Sequence, residues 1–373
     1  MHTIPLPQNP IQPGRLFRLF RHMMDIYSPS GKEEELSGYL YAFFKKRRLP
    51  VSRQMLADGR YNLIVAPPGV EIQLALIGHV DTVSAHDLEE FGFSRSDGVI
   101  SGLGAADMKG GCAAIIEACL CFWETAGPDL PVALILVVGE EENGDGAMRL
   151  LEDLHFPWCI IAEPTGLVPC FAHYGYIEMQ LTSQGERRHA SLAKGRNNPV
   201  EKMLKTLLAL THHMDQRSEA VYNIRDLLTS KSGFAVPEWC QAWVDFHLPP
   251  HTPTGAFCSE LEEVVCSPPP GKNPVEVRFH TIQDGYDLPG KGAMVEALQK
   301  IYARRELPWQ PAAFPSHSDA NLLWAHGIKP VLLGPGSLAK AHVPDECIDE
   351  AEVLAAAEIY YQLLLDLFPP SSF

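Results

Sequence analysis

The alternation of apolar and polar positions changes period several times along the chain, and each change marks an element. Residues 15 to 26 carry apolar side chains at helical spacing. The S-x-x-E pattern of Ser30-Gly31-Lys32-Glu33 predicts a capping box opening a second helix that runs to about Arg47. The runs Leu74 to Gly78 and Val132 to Val138 are short and almost wholly apolar, as strands buried on both faces of a sheet must be. Between them Gly110 to Thr125 is small and apolar enough for a packed helix, and Cys159 to Ala162 reads as a further buried strand ending in Glu163. The style changes at Tyr176. Residues 176 to 183 alternate as a half-exposed strand, 199 to 214 form an amphipathic helix, 220 to 228 a weak strand, 236 to 248 a strand, 254 to 266 a helix and 274 to 282 a strand. That β-α-β-β-α-β order predicts an inserted ferredoxin-like unit. From Gly292 the first style returns, with a helix to about Arg305, an apolar strand Pro330 to Leu333 and a terminal helix from about Glu350 to Leu367. Ser267-Pro268-Pro269-Pro270-Gly271 reads as a turn.

The expected fold class is therefore α/β, a mixed, largely parallel sheet flanked by helices, interrupted by an α+β insertion. At 373 residues the chain exceeds one ordinary hydrophobic core. The expected division is a first part of the main domain at 1–175, the insertion at 176–284 and the second part at 285–373. Formal net charge is −16, and the densest basic cluster is only Lys45-Lys46-Arg47-Arg48, which argues against nucleic acid or an anionic membrane as partner. No apolar stretch approaches the roughly 18 residues of a membrane span, and the start, MHTIPLPQNPIQPG, lacks the basic and apolar regions of a signal peptide, so a cytoplasmic location is expected. Nine cysteines without a CxxC pair argue against a disulfide framework or a thiolate zinc site; most are expected to be small buried apolar residues.

Acids and histidines recur where the apolar strands end, the position at which open α/β sheets hold ligands. His79 and Asp81, in Gly78-His79-Val80-Asp81-Thr82-Val83, lie two apart on one face of an extended chain, so an imidazole can bind a metal while the carboxylate orients it. Alone, the pair is also what an ordinary hydrogen-bonded couple looks like. In Ser101 to Gly111 a glycine-rich loop surrounds Asp107. As a dinucleotide loop it would place Asp107 where the third glycine belongs, against a phosphate; as a metal loop it brings backbone close around a carboxylate able to bridge two cations. Lys109 beside it is expected to form a structural ion pair. Glu140-Glu141-Glu142 follow a buried strand directly. They are either a solvated acidic face or a site where one carboxylate binds a cation while its neighbour acts as base. Glu163 caps one more apolar strand, and His342 follows the last. Two histidines and several carboxylates are the donor set of zinc, cobalt or manganese rather than of a thiolate site.

As an ordered set these motifs closely resemble the M20 metallopeptidase family, which includes acetylornithine deacetylase, succinyl-diaminopimelate desuccinylase, aminoacylase and carboxypeptidase G2. The resemblance runs over nearly the whole length: Gly78 to Val83, Gly104 to Gly111, the Glu run, Glu163-Pro164-Thr165, Gly185 to His189, Ser318-Asp319-Ala320 and Ala341-His342. It implies a zinc-exopeptidase-like catalytic domain with the insertion serving as lid and dimerisation domain. It implies two divalent metal ions, most naturally zinc, with Asp107 bridging both, His79 and Glu163 completing one site and Glu141 and His342 the other. Asp81 would orient His79, Glu140 would act as general base on a metal-activated water, and the Asp107-Met108 peptide would be cis. Gapless alignment of E-E-x-G-x-x-G-A on Glu140 to Ala147 makes Glu140 the base; the alternative register, Glu141 as base with Glu142 as ligand, requires a deletion. His189 matches a lid histidine that in dimeric relatives reaches the partner's active site and helps bind an oxyanion.

Two departures bear on substrate. His247 follows Val244-Asp245-Phe246 where relatives often carry an arginine for a substrate carboxylate, and Ser232 to Pro237 offers no asparagine before Val-Pro. Glu163, rather than Asp, resembles the deacylase members. The leading expectation is removal of an acetyl or succinyl-like group from an N-acyl-L-amino acid by a homodimer. A di- or aminopeptidase acting on short peptides, a non-catalytic metal-binding homologue and a nucleotide-binding oxidoreductase built on Gly102 to Gly104 are the alternatives.

Overall fold

A computed structural model of the chain describes residues 10–87, 89–193, 198–231, 233–266 and 275–370. These gather into two compact units. The larger takes the chain up to Phe171 together with Leu288–Phe314 and Ser318–Phe373, and the smaller takes Ala172–Asp287 with Pro315–His317.

In the larger unit, the apolar runs Leu74–His79, Val132–Val137, Trp158–Ile161 and Lys329–Leu332 are the parallel heart of one sheet, in the order 132–137, 74–79, 158–161, 329–332. Every residue of Leu74–His79 and Val132–Val137 is buried, which explains why these strands read as unbroken apolar runs. The hairpin Val51–Met55 and Tyr61–Val65 adds to one side in antiparallel fashion, and Cys170 pairs antiparallel with Leu332 on the other. Helix Gly110–Ala126, buried from Gly110 to Trp123, packs against the sheet and the C-terminal helix Glu350–Leu367. Parallel strands that end on one edge bring His79, the turn after Val137 and the residues after Ile161 together, although they are far apart in sequence.

In the smaller unit, strands Val221–Thr229, Trp239–Leu248, Gly175–Gln184 and Glu276–Gln283 form an antiparallel sheet in that spatial order. The alternation of Gly175–Gln184 sends Ile177, Met179 and Leu181 into a core with Val244 and Phe246, closed by Leu207 and Leu210 of helix Pro199–Met214 and Phe257 and Leu261 of helix Thr254–Cys266. The β-α-β-β-α-β order is thus the observed one.

The structure corrects the expected capping box. The second helix is Glu34–Lys46 with Glu33 at its N-cap and no side-chain cap; the Ser30 hydroxyl donates instead to Asp81 Oδ2 at 2.7 Å. A tertiary acceptor outcompetes the local amide, and Glu33, buried, pairs with Arg60 at 3.0 Å. The hairpin 51–65, the helix Asp145–Asp153 and a small sheet of Ser94–Ser96, Val99–Ser101 and Cys347–Asp349 were not anticipated. The turn expected at 267–271 lies outside the described residues. All nine cysteines are free thiols, seven of them buried. Among the described residues no helix is long and apolar enough to cross a membrane.

Candidate metal centre

His79 ends its strand at 2% exposure, with its two ring nitrogens facing different partners. Nδ1 lies 3.1 Å from the Asp81 carbonyl and 3.6 Å from Asp81 Oδ1, so the backbone oxygen is the nearer acceptor. Asp81 is itself fixed, its Oδ2 accepting from Ser30 Oγ and from the Glu141 amide at 3.0 Å. Nε2 points into the site, 3.2 Å from Asp107 Oδ1, 3.8 Å from Glu140 Oε2 and 4.0 Å from Glu163 Oε1. On the other side His342 Nε2 lies 3.5 Å from Asp107 Oδ2 and 2.9 Å from Glu141 Oε2. Two clusters therefore form, His79-Asp107-Glu163 and Asp107-Glu141-His342, each with its ligand atoms within 4.8 Å of one another and with Asp107 common to both. Glu140 is buried beside them and Glu142 is exposed.

Glycines make the approach possible. Gly104, at φ +77°, turns the loop into Asp107, and a Cβ on Gly111 would lie 2.1 Å from the Ala162 carbonyl oxygen. Only a glycine lets the helix after Asp107 press against the strand end that carries Glu163. The peptide Asp107-Met108 is cis, as the family resemblance implied. His342 sits at φ 58°, one of five non-glycine residues with positive φ among the described residues.

So many buried acids repel one another. Burial, reinforced by neighbouring carboxylates, pushes the Glu140 and Glu163 carboxyls well above the usual range, against the pull of His79. Glu141 is also raised by burial, although its hydrogen bond from His342 opposes this. Burial would lower His79, but Asp107, Glu140 and Glu163 more than offset it and hold the imidazole well above its ordinary value. His342, bonded to Glu141, is raised to about 9. Buried Glu141 Oε1, Glu163 Oε1 and Asp319 Oδ1 have no hydrogen-bond partner. Unpaired carboxylate oxygens converging in one place, with imidazoles alongside, are the donors a hard divalent cation requires, so the residues fit such an ion.

Three residues lie elsewhere than the sequence suggested, or were missed by it. Lys109 is buried but donates to the Ile26 carbonyl at 3.0 Å instead of pairing with a carboxylate, and burial lowers it to about 8. Glu346, 3% exposed, accepts the amides of Gly104, Ala106 and Asp107 at 2.8, 2.8 and 3.0 Å. That bond to Gly104 also occupies the loop in which a dinucleotide phosphate would have to sit. Asp319, 3% exposed and raised to about 7 chiefly by burial, is close enough to act electrostatically on Glu140. The Ser318-Asp319-Ala320 stretch shared with the family was its sole signal in the sequence.

The remaining candidates belong to the smaller unit. His189 is exposed, its Nδ1 2.8 Å from Ser191 Oγ, and it bridges to Ala235. His247 rests on Tyr176, ring centroids 5.3 Å apart, with Nδ1 buried and unpartnered. An arginine does approach the V-D motif, but from the neighbouring strand: Arg225 is 3.2 Å from Asp245 and 2.8 Å from Glu178.

Residues 75–366 match the profile of peptidase family M20/M25/M40. The acetylornithine deacetylase of Proteus mirabilis (strain HI4320) is 27% identical over 335 residues, which is 82% of each chain. Among solved structures, a tripeptidase from Staphylococcus aureus superposes with a TM-score of 0.75 at 20% identity, over 95% of this chain and 99% of that one. The YXEP protein of Bacillus subtilis, a dinuclear metal-binding peptidase of the M20 family, superposes with a TM-score of 0.68 at 13% identity, over 96% and 99%. By its matched residues and its fold, this chain belongs to peptidase family M20/M25/M40 and is a hydrolase of C–N amide bonds.

Proposed function

We propose that the chain removes the acyl group, acetyl or succinyl-like, from an N-acyl-L-amino acid, using two divalent metal ions. The observation that carries the reading is the placement of Asp107, whose Oδ1 faces His79 and whose Oδ2 faces His342. His79, Asp107 and Glu163 would hold one ion, and Asp107, Glu141 and His342 the other; zinc suits this set, with cobalt or manganese as alternatives. When bound, the ions supply Lewis acidity and lower the pKa of water toward ~7. Asp81 fixes the ring of His79. Glu140, buried and with a raised proton affinity, is suited to take a proton from the attacking water and return it to the leaving amine. His189 would serve as an oxyanion donor contributed across a homodimer built through the smaller unit. The 27% identity to an acetylornithine deacetylase supports the acyl amino acid class.

Elemental analysis of metal-reconstituted protein, with parallel assays on N-acetyl amino acids, N-succinyl amino acids and dipeptides, tests the reading. Two ions per chain and turnover of acyl amino acids are expected. Turnover of dipeptides alone would replace the substrate class, and fewer than about one ion per chain would overturn the centre.

A further inference from the structure

We infer that Glu346 is a positioning residue that preorganises both metal clusters at once, by clamping the loop that carries their shared ligand. Its two carboxylate oxygens take three main-chain amides of the Asp107 loop, Oε2 from Gly104 and Oε1 from both Ala106 and Asp107, while its own carbonyl accepts from Gly102 at 3.0 Å. Four hydrogen bonds to one residue leave the loop little freedom, and three of them go to a side chain that is itself buried. Glu346 lies four residues after His342, its amide bonds back to the Val343 carbonyl, and the strand Cys347–Asp349 that follows pairs with Val99–Ser101 just before the Asp107 loop. The residue thus ties the backbone that carries Asp107 to the backbone that carries His342. It is a member of neither cluster itself. Since Asp107 belongs to both clusters, loosening the clamp displaces a donor from each.

This inference rests on the two-metal reading, and calorimetric zinc titration of the metal-free protein, against a competing chelator of known affinity, separates the two. Wild-type protein that binds no zinc would overturn the reading itself. If wild type binds two ions, Glu346→Gln tests the clamp. The amide keeps one acceptor oxygen but turns an NH2 group toward the Gly104 amide, donor against donor. Both zinc affinities are expected to fall together, by about 10- to 100-fold. Glu163→Gln, altering one cluster only, should weaken a single site. A folded Glu346→Gln protein that binds both ions as wild type does, whatever its Tm, would overturn the clamp. Glu346→Asp, which keeps the charge one methylene shorter, should give a smaller loss, and a loss equal to that of the Gln variant would also count against it. Hydrogen exchange in the metal-free wild type requires no variant to fold: the amides of Gly104, Ala106 and Asp107 should be protected before any metal is added, and fast exchange at all three would refute the inference.

Discussion

Raising the pH from 5 to 7 should destabilise the metal-free protein, and the buried acids set the size of the effect. Asp319 is pushed from 3.8 up to about 7, chiefly by burial and against the pull of His79. Glu346 is pushed from 4.5 up to about 7 by burial, against the pull of the amides it accepts. The unfolded chain sheds both protons near the ordinary carboxyl values and the folded chain sheds them only near 7. Between those limits the folded state holds the additional protons, and each one costs stability by ~1.4 kcal/mol per pH unit. Over this interval each group removes about 2 kcal/mol, and the pair at most about 4 kcal/mol, against a typical total stability of roughly 5–15 kcal/mol. His79, held well above 6.5, acts in the same sense above that pH. Asp107 adds no slope in this window: its burial is outweighed by His79, His342 and Glu163 together, which hold it below 3.8, so it is ionised throughout. Urea unfolding followed by tryptophan fluorescence, on chelator-treated protein at pH 5, 6 and 7, reads the slope directly. Saturating zinc should flatten or reverse it, since positive charge held by the clustered ligands displaces the protons on those ligands and lowers the proton affinity of Asp319 and Glu346 beside them, so the gain from metal should be larger at pH 7 than at pH 5. Metal-free stability that stays level or rises from pH 5 to 7 would refute the reasoning.

Other perturbations separate the roles of individual residues. Glu140→Gln should retain both ions while kcat falls by about 10²- to 10⁴-fold, as measured by steady-state assay beside metal analysis; an unchanged kcat would remove Glu140 from proton transfer. Asp107→Ala should abolish binding of both ions, whereas Glu163→Ala and His342→Ala should each leave one, and equal stoichiometry in all three variants would contradict the shared-ligand arrangement. In Gly111→Ala the new methyl would meet the Ala162 carbonyl oxygen, main chain on both sides, so a loss of about 1–3 kcal/mol in urea unfolding is expected; a neutral result would mean the helix start shifts freely.

What the sequence revealed about this chain depended on whether a residue's role has a period or a side-chain partner. The buried strands Leu74–His79 and Val132–Val137 and the alternating strand Gly175–Gln184 were legible because burial on two faces or one imposes a pattern on residue type. The hairpin Val51–Met55 and Tyr61–Val65 was not: the first strand is exposed at three of its five positions and the second is wholly buried, so neither alternates in a way that names its partner. At the site, His79, Asp107, the run Glu140 to Glu142, Glu163 and His342 stood out as candidates because acids and imidazoles at strand ends are costly unless something binds them, while the choice of Glu141 within the run and the separate roles came only from the family resemblance. Ser30 misled because its preference for capping is weak beside a buried carboxylate that happens to be within reach. Glu346 left no trace for a deeper reason. Its partners are main-chain amides about 240 positions away, and an amide has the same chemistry in nearly every residue, so no choice of side chain in the Asp107 loop announces the carboxylate that holds it. Positioning groups of this kind become visible only once the fold has brought the two stretches of backbone together.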